Sequence, residues 1–152
     1  MATTLSNSKL TVRVIEEITL NGSKRGSTNK HEISGINEVT ERIVSVPTST
    51  VTILSASNTV GAGTYVSSSL KYIRLTNLDD SNFVRVSFTS GSSAVSNTSD
   101  LKLEPQRTMI FTNTSISGSS VGADFNAFSG FTDMKATADT SSVDLEIFIA
   151  SS

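Results

Sequence analysis

Cysteine and tryptophan are both absent, histidine occurs once, as His31, and proline only twice. Without cysteine the chain can build neither a disulfide framework nor the thiolate sites that most structural zinc uses. Apolar residues never run on for the roughly 20 positions that a membrane-spanning helix needs. Charge is sparse too, at 17% of residues and a net −2. The basic footprint that nucleic-acid binding usually requires is therefore missing. The opening Met1-Ala-Thr-Thr-Leu5 has no basic stretch followed by an apolar core, so no signal peptide is expected.

Hydroxyl groups and β-branching are what the chain has in quantity. Ser and Thr make up 48 of its 152 residues, and Val, Ile and Thr together 44. The β-branched residues fall in alternating runs. Over residues 9–20, Leu10, Val12, Val14, Ile18 and Leu20 share one parity, and Lys9, Thr11, Arg13, Glu17 and Thr19 the other. Successive strand side chains point to opposite faces, so this run predicts a strand with one buried face. Glu16 sits on the apolar parity beside a misplaced Ile15, which predicts a bulge there. A buried, partnered carboxylate is the costlier alternative.

Further strands follow at short spacing. Residues 41–46 and 50–54 flank Pro47, which marks a turn or a sheet edge. Residues 70–77 and 83–89 surround a turn-rich Leu78-Asp-Asp-Ser-Asn82, and the pair reads as a hairpin. Leu101 and Leu103 make a short strand ended by Pro105, and 108–113 is another. The clearest alternation closes the chain: Val143, Leu145, Ile147 and Ile149 against Asp144, Glu146 and Phe148. Helical spacing occurs only over 123–134, where Phe125, Phe128 and Phe131 recur, so at most one short helix is expected there. Segments 21–29, 55–69, 90–99 and 115–122 read as loops. No repeat of 20–50 residues is visible, against a solenoid or propeller. The expectation is an all-β, antiparallel sandwich, the jelly roll being one form of it. It would be one domain over 9–152, preceded by a flexible arm, residues 1–8, with little to bury.

Chemical motifs are few. Gly118-Ser-Ser-Val-Gly122 fits G-x-S-x-G with Ser120 at the nucleophile position. That elbow needs a strand–turn–helix and a histidine downstream, whereas His31 lies far upstream. His31 itself, between Lys30 and Glu32, reads as a solvated residue at a strand end. Asp79 and Asp80, with Asn77 and Asn82 nearby, could hold a weak Ca²⁺, but the EF-hand spacing and its closing Glu are missing, and a turn-shaping role is the favoured reading. Three N-x-S/T matches, at Asn21, Asn97 and Asn113, are what chance supplies in so hydroxyl-rich a chain. Lys24, Arg25 and Lys30 form a modest basic cluster that suits either a solvated hairpin tip or contact with an acidic protein surface. No catalytic, cofactor-binding or metal-ligating residue is assigned, and no cofactor is expected. The chain reads as a binding or structural module and not as an enzyme.

Several strand phrases together resemble small virion structural proteins of tailed, marine-type bacteriophages. They are Glu16-Glu-Ile-Thr-Leu-Asn-Gly22, Ile33-Ser-Gly-Ile36, Glu41-Arg-Ile-Val-Ser-Val-Pro47 and Tyr72-Ile-Arg-Leu-Thr-Asn-Leu-Asp79, with Leu101-Lys-Leu-Glu-Pro105 and Val143-Asp-Leu-Glu-Ile-Phe-Ile149. The resemblance implies a β-sandwich repeated many times in a virion, made first in the bacterial cytoplasm. Its leading implication is a capsid decoration, or cement, protein bridging capsid subunits. Partners would be the major capsid protein or other virion subunits, and further copies of itself, a trimer being favoured. Neither nucleic acid nor membrane is an expected partner. A tail or neck component is the alternative. A receptor- or carbohydrate-binding module ranks lower, because Tyr65 and Tyr72 are the only tyrosines and sugar sites favour aromatic platforms.

Overall fold

In a computed structural model, residues 8–57, 64–90, 97–112 and 132–152 are described. They form eleven strands and a single turn of 3₁₀ helix at Ser67–Ser69. By its contacts the chain divides into two units, Met1–Asn37 and Glu38–Ser152, where the sequence suggested a single domain from residue 9 onward. The division follows from pairing: the first two strands bond only to each other.

The first unit is a long antiparallel ribbon of β1 (Ser8–Leu20) and β2 (Ser23–Ile36). Asn21 and Gly22 join them with φ of 49° and 79°. Positive φ at both central positions is what a two-residue hairpin turn needs to match strand twist, and Asn-Gly is the pair that adopts it most readily. Residues 21–29 are thus a tight turn followed by strand, not the loop that their polarity suggested. The register runs unbroken from Lys9 opposite Ser34 to Leu20 opposite Ser23, and its one irregularity lies between Ser8 and Lys9. No bulge forms at Ile15 and Glu16, because both faces there are open to solvent and neither residue is forced to choose. The parity of 9–20 is as expected, but only Leu10 and Val12 on it are half-buried. Ser8 belongs to β1, and the remainder of the expected arm, residues 1–7, lies outside the described residues.

The second unit contains β3 (Glu38–Val46), β4 (Val51–Ser57), β5 (Thr64–Val66), β6 (Leu70–Asn77), β7 (Val84–Ser90), β8 (Asn97–Leu103), β9 (Thr108–Thr112), β10 (Asp133–Ala138) and β11 (Val143–Ser151). Its pairing is nested. β3 pairs with β11, β4 with β10, β6 with β9 and β7 with β8, all antiparallel. Two further pairings, β11 with β6 and β10 with β7, close the sheets in the orders β3-β11-β6-β9 and β5-β4-β10-β7-β8. A double-stranded ribbon wound in this way into two four-stranded sheets is a jelly roll. The three-residue β5 adds a parallel edge to the second sheet.

One core joins the two sheets. From the four-stranded sheet come Val46, Ile73, Leu75, Val143, Leu145, Ile147 and Ile149; from the five-stranded sheet come Ile53, Leu54, Val84, Val86, Phe88, Leu103, Met134 and Ala136. Phe88 on β7 meets Phe111 on β9 edge-to-face, with ring centroids 5.3 Å apart, which is direct contact between the sheets. Ile53 and Leu54 are consecutive yet both buried, because the β4–β10 register skips Ile53. Its carbonyl, displaced from the ladder by this bulge, accepts a hydrogen bond from the Arg42 guanidinium on β3.

Residues 70–77 form a strand as expected, and the expected strand 83–89 lies at 84–90, but the two are not a hairpin. β6 and β7 lie in different sheets, and 78–83 carries the chain across the sandwich. Alternation alone cannot tell the two apart, since a hairpin and a crossing place apolar residues on the same parity. The strand ending at Leu103 begins earlier than expected, at Asn97. Thr132 is a bend and Met134 lies in β10, so the end of the segment with helical spacing is extended; residues 123–131 fall outside the described residues, as does Ser120.

Leu145 and Ile147 are 0% and 1% exposed on the central strand β11. Replacing either by Ala should cost about 2–5 kcal/mol, the range for large-to-small changes in a packed core. Denaturant unfolding of the two variants measures it, and an unchanged midpoint would show that β11 does not face the core.

Candidate interaction surface

Among the described residues, side-chain chemistry beyond packing gathers at a corner of the sandwich, on the outer face of its four-stranded sheet and on the ribbon.

The corner contains Asp79 and Asp80. Asn77, fully buried, donates its amide to the carbonyls of Asn82, at 2.9 Å, and Leu103, at 3.2 Å, and accepts from the Asp79 N–H at 3.0 Å. One Asp79 oxygen accepts from the backbone N–H of Asn82, at 2.6 Å, and of Ser81, at 2.8 Å. These two donors, Asn82 first, hold the Asp79 carboxyl below its ordinary range. The Asp79 carboxylate is thus engaged by the backbone of the following residues, and Asp80 accepts from the Ser81 hydroxyl. No group of three or more metal-ligating side chains occurs among the described residues. The corner ties crossings together: Gln106 N–H donates to Asp79 O, Leu78 N–H to Asp144 O, and the Thr140 hydroxyl to the Asn82 side-chain carbonyl.

The outer face of the four-stranded sheet carries Tyr72, Arg74, Glu146 and Phe148, opposite in parity to the core residues of the same strands. Tyr72 meets Phe148 edge-on at 5.8 Å, and the Arg74 guanidinium lies 5.8 Å from the Phe148 centroid while it bonds Glu146. That guanidinium keeps the Glu146 carboxyl below its usual range. Tyr72 is buried, and burial raises its phenol, so it offers no exposed platform for a sugar ring. Val39, Ile43 and Ile110 are exposed on this face, but the ion group of Arg74, Glu146 and Glu41 stands among them.

The ribbon has two unlike faces. Directly paired residues of antiparallel strands share a face. One face therefore combines Leu10 with Ile33, Val12 with His31, Val14 with Asn29, Glu16 with Ser27, Ile18 with Arg25 and Leu20 with Ser23. The other combines Lys9, Thr11, Arg13, Ile15, Glu17 and Thr19 with Ser34, Glu32, Lys30, Thr28, Gly26 and Lys24. The second face is charged. Its Glu32 is clamped by Lys30 and by Lys9, the latter at 3.0 Å, and both cations, Lys30 foremost, hold its carboxyl down to about 2 from an ordinary 4.5. Towards its tip the first face exposes an apolar stripe on β1, where Val14, Ile18 and Leu20 are between 44% and 58% exposed, interrupted by Glu16 and flanked on β2 by Asn29, Ser27, Arg25 and Ser23. His31 lies on it as an exposed strand residue. The basic cluster is divided, Arg25 on the apolar face and Lys24 and Lys30 on the charged one.

Near the tip the two strands line an open groove of about 680 Å³, bounded by residues 15–19 and 24–28. A single two-stranded ribbon cannot enclose a small ligand as cofactor pockets do, so the groove suits a surface and not a buried substrate. Gly26 permits the close approach of its strands: a Cβ there would stand 1.9 Å from the Glu16 carbonyl oxygen. Comparison with protein families, with curated proteins and with solved structures gives no match.

Two outcomes check this description. Asn77→Leu should destabilise the sandwich by about 1–3 kcal/mol for each buried partner left unpaired, measured by thermal or denaturant unfolding. For Glu32 the folded pKa is depressed. Any stability from its lysine clamp is therefore complete above about pH 4.5 and lost as pH falls towards 2. Both lysines and Glu32 are exposed, so salt should raise the Glu32 titration midpoint back towards 4.5. An NMR titration at low and high salt reads this directly.

Proposed function

We propose that this protein is a structural subunit of a virion, a capsid decoration protein that bridges neighbouring subunits of the shell. The observation carrying the proposal is the ribbon, two strands of 13 and 14 residues that expose Val14, Ile18 and Leu20 near their tip. An isolated two-stranded hairpin is marginal in water; it needs further strands or a packed face. A subunit that presents such a face is completed by a neighbour. At about 3.4 Å per residue the ribbon extends roughly 44 Å, long enough to reach across a subunit boundary.

The jelly roll agrees with this reading as an analogy of fold, since capsid domains use it, though lectin domains and cupins do as well. The strand phrases that resemble phage structural proteins fall on elements of both units, from β1 to β11. The partner on the shell would be the major capsid protein or another virion subunit. Many modest contacts repeated over a symmetric particle add up to firm attachment.

Electron microscopy of the parent particle is the test. Density for the jelly roll at junctions on the outer capsid surface is expected. Density in the tail or neck would replace decoration with the tail or neck role. Its absence from purified particles would end the virion reading altogether.

A further inference from the structure

The chemistry of the apolar ribbon face goes further and points to its occupant. Glu16 and Arg25 are the only carboxylate and the only guanidinium on that face, and they flank Ile18 on diagonal positions of the two strands. Glu16 accepts a hydrogen bond from the Ser27 hydroxyl at 2.7 Å, while no ion pair holds Arg25 among the described residues. The face is thus neutral in sum and carries one charge of each sign beside an apolar stripe of Val14, Ile18 and Leu20.

We infer that the occupant is the same face of a second copy, the two ribbons stacking as a small two-layer sandwich. A twofold axis lying between the two faces, across the strands at the level of Glu17, sets the β1 stripe of one copy against that of the other and brings Glu16 of each copy to the level of Arg25 of the other. That is the self-complementarity an isologous interface requires. A partner surface carrying one sign of charge would instead leave one of the two groups opposed by its like. The opposite ribbon face exposes one large apolar side chain, Ile15, among Arg13, Glu17, Lys24, Lys30 and the clamped Glu32, so the stripe of three lies on the face that pairs.

Size sets the strength of the pairing. From Val14 to Leu20 the exposed face is about 20 Å long and, with two strands, about 10 Å wide. Two such faces give roughly 400 Å² of contact, well below the 1,200–2,000 Å² or so of stable complexes. Pairing in solution is therefore reversible and concentration-dependent, and an array that holds many copies strengthens it. Pairing like face with like face is a twofold relation, which favours a twofold over the threefold that the phage resemblance implies. The inference does not rest on the virion reading.

Sedimentation of the full chain over a wide concentration range tests it. The sedimentation coefficient should rise from monomer towards dimer with concentration. Ile18→Asp, a change at an exposed site, should weaken association by at least about tenfold. Glu16→Arg and Arg25→Glu should each weaken it, and the double variant should recover most of the loss, while circular dichroism reports an unchanged β-fold throughout. A monomer at every concentration overturns the inference, as does a dimer or trimer indifferent to Ile18→Asp. Failure of the double variant to recover overturns it too. A purified monomer that still binds particles would remove the self-pairing and leave the virion reading standing; a dimer found on no particle would do the reverse.

Discussion

The side chain of Asn77 sits with no exposed surface at the end of β6, where the chain leaves one sheet for the other. Its amide spans two carbonyls that belong to different connections, Asn82 on the β6–β7 crossing and Leu103 at the end of β8, while its own carbonyl receives the Asp79 N–H. A sandwich closed by crossings must satisfy backbone groups that no ladder reaches, and an amide with donors and an acceptor is suited to do so. Asp79 continues the arrangement through its backbone and its carboxylate, and Gln106, Asp144 and Thr140 attach the other corners to it. The core aligns the sheets, but this corner decides where the chain may pass between them.

How much of this could be read in the amino acids depends on what each residue reports. Alternation in 143–149 identified both a strand and its buried face, because a central strand between two neighbours has one face on the core and side chains that obey it. Pro47 marked the end of β3 for the reason expected, its lack of an amide donor. The same alternation in 9–20 was right in parity and misleading about burial, since period two reports two unlike faces and not what lies against them. The crossing at 78–83 was invisible for a related reason: turn-forming residues announce a change of direction without saying whether the next strand pairs back or crosses over.

Other features had no local signal at all. Arg42 lies on the parity of core-facing residues in β3, where an arginine looks out of place, yet it satisfies the carbonyl that the Ile53 bulge releases. Only the consecutive apolar pair Ile53-Leu54 hinted at a bulge, and nothing linked it to Arg42. The sequence favours Asp79 as a turn-shaping residue, and its carboxylate does accept from the backbone of the turn, but nothing local showed that Asn77 and Gln106 would join it. The division of Lys24 and Arg25 between opposite faces of the ribbon followed directly from period two once the turn at Asn21-Gly22 extended the strand beyond them.

The nested pairing also has a consequence for the order of events during folding. Ser151 in β11 lies beside Glu38, 113 residues earlier, and among the described strands β3 gains its sheet partner only when β11 arrives. Contacts of such sequence separation must overcome a large loop-closure entropy before any of them is rewarded, so the sandwich is a slow-forming topology. The ribbon is the opposite case: its turn is two residues long and its register zips outward from there. On a ribosome it would be finished while the sandwich still lacked the strand between β3 and β6. The amphipathic surface of each new copy would then be in place before the sandwich closes.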